Sequence, residues 1–210
     1  MISGTSRARR TNSLLWLLAV LVPVALAGEP ESIQRQSVPE LWGLEQLMVE
    51  LGRLQHSQAR FIERKYLKVL KSPLELSGTL EYDAPSRLVK RTLEPKPETL
   101  TVEEDRLVIE SPARGRSRTL RLGEYPVLWA FVESFRSTLK GDLAALERFY
   151  QVALEGGPQR WQLSLTPRDP KLSALIESIR IDGSKGRITR IEVRETQGDR
   201  SVMTVLEGAP

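Results

Sequence analysis

The chain has 210 residues, with 31 Lys and Arg against 27 Asp and Glu, a formal charge of +4 and no cysteine. Disulfides, thiolate catalysis, zinc fingers and iron–sulfur clusters are therefore excluded. Residues 1–27 carry Arg7, Arg9 and Arg10 and no acid, so the remainder holds 28 cations against 27 acids. Those charges interleave in sign, which excludes the concentrated basic face that nucleic-acid binding needs.

Residues 1–27 read as a cleaved signal peptide: three arginines, then an apolar run of 13 residues from Leu14 to Leu26, then the small-x-small pattern Ala25-Leu26-Ala27. The run is shorter than the roughly 20 residues a bilayer-spanning helix takes. Cleavage before Gly28 predicts a periplasmic protein of 183 residues. Its residues 28–36 form a polar, flexible lead-in and residues 37–210 a single domain large enough for its own core. No cysteine follows the signal, so the protein is not itself lipid-anchored.

Ser37 with Glu40 has the spacing of a capping box. Leu41, Leu44, Leu47, Met48 and Leu51 follow at helical spacing, so a helix is expected from Ser37 to near Gln55. Residues 59–70 read as a strand of mixed character, and Ser72-Pro73 as a turn. Leu74, Leu76, Gly78, Leu80 and Tyr82 then alternate with Glu75, Ser77, Thr79 and Glu81, a strand with one apolar and one wet face. Asp83-Ala84-Pro85-Ser86 is a turn. Leu88–Leu93 is a further strand, Pro95 and Pro97 mark the next connection, and the hairpin signal Glu103-Glu104-Asp105 separates Leu100–Val102 from Leu107–Ile109. The arginine-rich run 114–118 reads as an exposed hairpin, and Thr119–Leu122 closes the block.

The period then changes. Pro126 opens a helix whose stripe is Leu128, Phe131, Val132, Phe135 and Leu139, widened by Trp129. Gly141 ends it, and Asp142 caps a short second helix. Five strands follow: Tyr150–Leu154, Trp161–Leu165, Ile179–Ile181, Ile188–Val193 and Val202–Leu206, with one helical turn from Asp169 to Leu175 between the second and third. The expected fold class is α+β: a curved antiparallel sheet of about 11 strands, an unclosed half-barrel whose concave side is covered by a helical lid.

Enzyme signatures are lacking. His56 is the only histidine and has no acid–nucleophile pattern beside it, so it reads as a surface or capping residue. There is no Gly-x-Ser-x-Gly elbow, HExxH, P-loop or GxGxxG. The acids at 103–105 sit at a hairpin tip, where carboxylates keep ordinary acidity. No cofactor or metal is expected.

The order of elements, together with several stretches, resembles the LolA-type outer-membrane lipoprotein carriers. The stretches are Phe61 and then Ser77 to Leu88 with its proline turn; Val102 to Leu107, running on to Ser111-Pro112; Trp161 to Pro167; and Ile188 to Val193 followed by Gln197-Gly198-Asp199. The resemblance implies a monomeric periplasmic shuttle. Acylated cargo, a lipoprotein or related lipid, would pass from an inner-membrane donor to an outer-membrane acceptor inside an apolar cavity. A glycolipid carrier and a lipid-sensing regulatory module share the fold type. The candidate lining is Phe61, Leu76, Leu80, Leu107, Trp161, Leu163 and Leu165, under a cover of Leu128, Phe131, Val132 and Phe135. Where the family places a lid-holding arginine before the proline of the turn, this chain has Ala84, with Arg87 and Arg91 nearby as candidate substitutes.

Overall fold

The computed structural model describes residues 42–112 and 115–207. The signal segment, the lead-in and the Ser37–Glu40 capping box lie outside these residues. The first helix of the described residues, α1 (Leu44–Gly52), has Gly43 at its N-cap position and buries Leu47, Met48 and Leu51. Six strands follow: β1 (His56–Tyr66), β2 (Leu74–Asp83), β3 (Arg87–Glu94), β4 (Glu98–Glu103), β5 (Arg106–Ser111) and β6 (Arg116–Arg121). A single 3₁₀ turn at Leu122–Glu124 leads into α2 (Pro126–Lys140) and α3 (Leu143–Phe149). The last block is β7 (Tyr150–Gly157), β8 (Arg160–Pro167), α4 (Pro170–Ser173), β9 (Ile176–Ser184), β10 (Arg187–Glu195) and β11 (Arg200–Glu207).

All eleven strands form one sheet in the order β6-β5-β4-β3-β2-β1-β11-β10-β9-β8-β7, antiparallel throughout, with the first and last strands paired at its centre. The two edges, β6 and β7, are consecutive in sequence, so the chain must travel from one edge to the other. It does so through α2 and α3. That path explains why the helices lie on the inner face: two amphipathic segments spanning an unclosed sheet bury their stripes against it. β1 runs from His56 to Tyr66, three residues earlier at its start and four shorter at its end than the sequence pattern suggested. Its register with β2 closes at Lys65 opposite Leu74.

Two apolar clusters occupy the inner face. The larger joins Trp161, Leu163, Leu165, Ile179 and Ile181 of the sheet to Leu47, Met48 and Leu51 of α1 and Leu146 of α3. The smaller joins Val102 and Leu107 to Leu122 and Val132, with Leu88, Leu100, Ile109, Leu120 and Leu128 around it. α2 contributes to both.

The most buried face of α2 is not wholly its aromatic stripe. Ala130, Ser134, Ser137 and Thr138 are buried with Val132, while Phe131 and Phe135 are half-buried. Neighbouring chain passes close to both ends of this face. The Tyr150 hydroxyl donates to the Ala130 carbonyl at 3.1 Å, and a Cβ added at Gly52 of α1 would lie 2.9 Å from the Lys140 carbonyl. The buried hydroxyls are satisfied locally, Ser134 donating to the Phe131 carbonyl and Thr138 to the Ser134 carbonyl. Gly141 ends α2 at φ +70°, with no room for a side chain beside the Met48 carbonyl. Asp142 caps α3 by accepting from the Ala145 N–H at 3.0 Å.

Candidate functional site

The site is the inner face of the sheet and the helix that crosses it. Register fixes which side chains share that face. From β8 across to β2, Leu163 lies opposite Ile181, Ile181 opposite Ile191, Ile191 opposite Met203, Met203 opposite Glu63, and Glu63 opposite Leu76. From β2 outward, Tyr82 lies opposite Leu88, Leu88 opposite Val102, and Val102 opposite Leu107.

The eleven expected lining and cover residues therefore fall on this face or on α2, in three groups. Trp161, Leu163 and Leu165 belong to the larger cluster, where they are almost fully buried. Phe131 and Phe135 pack on that cluster from α2, edge to face with ring centres 5.2 Å apart. Leu107, Leu128 and Val132 belong to the smaller cluster. Phe61, Leu76 and Leu80 lie between the clusters on β1 and β2. Phe61 is buried, whereas both leucines stay half-buried. Gly78 faces the Phe61 ring across the strands, and a Cβ there would collide with the Arg91 carbonyl and crowd the ring.

The middle of this face also holds a charge cluster that the sequence reading missed. Glu63 is only 4 % exposed. Its carboxylate pairs with the Lys90 ammonium and accepts from the Ser201 hydroxyl at 2.6 Å, and Lys65 lies 3.8 Å away. Lys90 also sits over the Phe61 ring, 5.0 Å from its centre. Burial alone would raise the pKa of the Glu63 carboxyl, but the Lys90 ammonium, helped by Ser201 and Lys65, outweighs it and holds that pKa below the ordinary glutamate value. The signal was available, because period-two alternation places Glu63 on the face of Phe61. A charge amid an apolar pattern simply read as a strand of mixed character.

Arg87 and Arg91 do not take the place of the family's arginine. Both point to the outer face, where Arg87 pairs with Glu81 and Asp83 and Arg91 pairs with Glu81. The cover is tied from the helix side instead. Arg136 of α2 donates to the Glu104 carbonyl in the β4–β5 turn at 2.9 Å, and Glu104 presents that carbonyl from a left-handed conformation, φ 52°. His56 is exposed and pairs with Asp83 at the start of β1. A cleft of about 200 Å³ lies between the Ala84-Pro85 turn and the ends of α1 and α2. A second, of about 320 Å³, lies at the opposite rim beside Tyr66 and Arg200. Neither is lined by the eleven residues. Among the described residues no group of three or more His, Asp or Glu is placed to hold a metal ion, and no helix is long and apolar enough to cross a membrane.

An unclosed eleven-stranded sheet whose edges are bridged by helices is the arrangement expected from the resemblance, and residues 36–210 match the family described as outer membrane lipoprotein carrier protein LolA-like. The chain belongs to that family. No curated protein matches the sequence of this LolA-like chain. Among solved structures it is similar to a LolA superfamily protein from Nitrosomonas europaea, at 11 % identity and a TM-score of 0.40, covering 78 % of this chain and 93 % of that one. It is also similar to the Pseudomonas aeruginosa MucA/MucB complex, at 13 % identity and a TM-score of 0.44, covering 80 % of this chain and 58 % of that one. A third likeness is to LprF from Mycobacterium bovis, at 13 % identity and a TM-score of 0.36, covering 80 % and 93 %.

Proposed function

We propose that this LolA-like protein is a periplasmic carrier, exported by residues 1–27, that shelters the acyl chains of a lipoprotein or related lipid between its sheet and α2. It would take cargo from an inner-membrane donor and deliver it to an outer-membrane acceptor, acting as a binding protein rather than an enzyme. The observation that carries the reading is the state of the central inner face. Leu76 and Leu80 of β2 and Phe131 and Phe135 of α2 are only half-buried, whereas a purely structural core would close over them.

Shelter is needed because burial is worth about 0.8 kcal/mol per CH₂, so a sixteen-carbon chain has on the order of 12 kcal/mol to lose in water. Release is equally necessary, and a movable cover provides it. When α2 lifts, the apolar side chains of the inner face and of the helix become the wall of the acyl space. The lining would be Phe61, Leu76, Leu80, Leu107, Trp161, Leu163 and Leu165, with Leu128, Phe131, Val132 and Phe135 on the cover.

Replacing Phe131 or Phe135 by Asp tests this. Uptake of an acyl-chain dye should be abolished while circular dichroism keeps its strand signal. Undiminished uptake by a folded variant overturns the reading. Mass spectrometry of material co-purifying with the exported protein distinguishes acylated protein from free lipid or glycolipid as cargo.

A further inference from the structure

Single exposed apolar side chains are ordinary on a protein surface. Among the described residues, four of the nine large ones fall within the nine residues Tyr66–Leu74: Tyr66, Val69, Leu70 and Leu74, with Val69 88 % exposed. This stretch is the tip of the β1–β2 hairpin. From Arg64 to Leu74 the sequence holds four cations and no acid, with Lys65, Lys68 and Lys71 spaced three apart among the apolar residues.

Two of the four cations are engaged, Arg64 with Glu75 and Lys65 with Glu63. Among the described residues, Lys68 and Lys71 have no acidic partner within salt-bridge reach, and both are exposed. The tip is nevertheless ordered. The Lys68 N–H donates to the Asp199 carboxylate at 2.9 Å, and the Leu70 N–H closes a turn onto the Leu67 carbonyl at 2.8 Å. It also projects. β3 pairs with β2 only as far as Ser77, so Leu74–Leu76 run on past that neighbour by roughly 10 Å. Leu93, also exposed, lies at the same rim, beside the residue opposite Ser77.

We propose that this hairpin tip is a docking point for the surface of an anionic phospholipid bilayer. Its chemistry matches that surface in two layers: lysine ammoniums for headgroup phosphates, and Val69, Leu70 and Leu74 for the acyl boundary, with Tyr66 amphipathic between them. A folded protein is the poorer match. A stable protein–protein patch takes about 20–30 residues from each partner, whereas this stretch spans nine residues and a bilayer accepts a few side chains at a time. Docking would be weak and reversible, and it would bring the rim from which Leu74, Leu76 and Leu80 lead inward along β2 against the membrane. The inference goes beyond the carrier reading and stands or falls separately from it.

Vesicle flotation of the exported full-length protein provides the test, with vesicles of equal parts phosphatidylglycerol and phosphatidylcholine against vesicles of phosphatidylcholine alone. The protein should float with the anionic vesicles, weaken as salt is raised, and fail to float with the neutral ones. Lys68→Gln with Lys71→Gln should weaken binding about twenty-five-fold, at about fivefold per charge. Val69→Ser with Leu70→Ser should weaken it by about tenfold or more. Both variants should keep wild-type dye uptake and circular dichroism. Equal binding to both vesicle types, no flotation, or variants that float as the wild type does would each overturn the proposal. Loss of dye uptake in the wild type, with these vesicle results intact, would count against the carrier reading and leave the docking point standing.

Discussion

The two wings of the inner face are built to different standards. On the β7–β10 side, Leu163, Leu165, Ile179 and Ile181 are completely buried under α1 and α3. Toward β1–β5, the four buried members of the smaller cluster are ringed by half-buried leucines, and at their boundary the sheet places Glu63, Lys90 and Thr92 where a core would place aliphatic side chains. The contrast teaches how one sheet can be both scaffold and container. On the proposed carrier reading, one wing would supply most of the folding free energy, and the other, less closely packed and with charge at its margin, would keep an opening transition within thermal reach. If that division is real, the same substitution should have different consequences on the two sides.

The largest effect is expected from Leu163→Ala. It removes a fully buried side chain from the close-packed wing and should cost about 3–5 kcal/mol in urea unfolding, mostly as cavity. Leu80→Ala on the central strands should cost about 1–2 kcal/mol, because the half-buried leucine leaves space that water already reaches. Equal costs would show that the two wings are packed alike and would remove the physical basis for calling one of them the container.

The charge cluster sharpens the comparison next. Lys90→Met leaves Glu63 buried beside its apolar neighbours without its main partner. The loss should be about 2 kcal/mol, below the ~3–5 kcal/mol of a fully enclosed pair because Lys90 keeps some contact with water. Adding Glu63→Leu to Lys90→Met should restore most of that loss, since two apolar side chains of similar volume replace a desolvated pair. The pH dependence has a definite sign. The Glu63 carboxyl is held below its ordinary value in the folded protein, so the folded state binds fewer protons than the unfolded chain. Its contribution to stability is fully present above the ordinary glutamate range and disappears as pH falls through the lowered folded value. Lys90→Met should therefore flatten the acid limb of the stability curve, and an unchanged limb would mean that Lys90 does not set the acidity of Glu63.

Strand count, helix order and the antiparallel sheet were legible because each rests on local signals. Leu74 to Tyr82 alternate cleanly, Pro126 and Gly141 bracket α2, and Asp142 caps α3. Less legible was whatever depends on tertiary neighbours. β1 carries Phe61, Glu63 and Lys65 on one face, a pattern that makes sense only once Lys90 and Ser201 are brought beside Glu63 from distant strands. The α2 stripe Leu128-Phe131-Val132-Phe135 has the right helical spacing. Its neighbours Ala130, Ser134 and Thr138 are nevertheless the more enclosed positions, where Tyr150 and the end of α1 pack against the helix. With Ala84 where the family has its arginine, Arg87 and Arg91 are the nearest arginines in sequence. Parity along β3 turns both outward and leaves Lys90 as the inward cation of that strand.

The smallest expected effect concerns the tie between the two regions. Arg136 of α2 donates a hydrogen bond to the Glu104 carbonyl in the β4–β5 turn, and it also lies 3.7 Å from Glu133 on its own helix. Arg136→Met keeps the aliphatic stem and removes the donor, so stability should fall by about 1 kcal/mol. If α2 is a cover, that loss falls on the closed state alone, and dye uptake should speed up by about fivefold at unchanged capacity, because 1 kcal/mol taken from the closed state shifts the opening equilibrium by that factor. If α2 is a fixed part of the core, the same substitution lowers the melting temperature and leaves the uptake rate where it was. Stopped-flow dye binding beside thermal unfolding separates the two, because only a moving helix makes uptake faster as the protein becomes less stable.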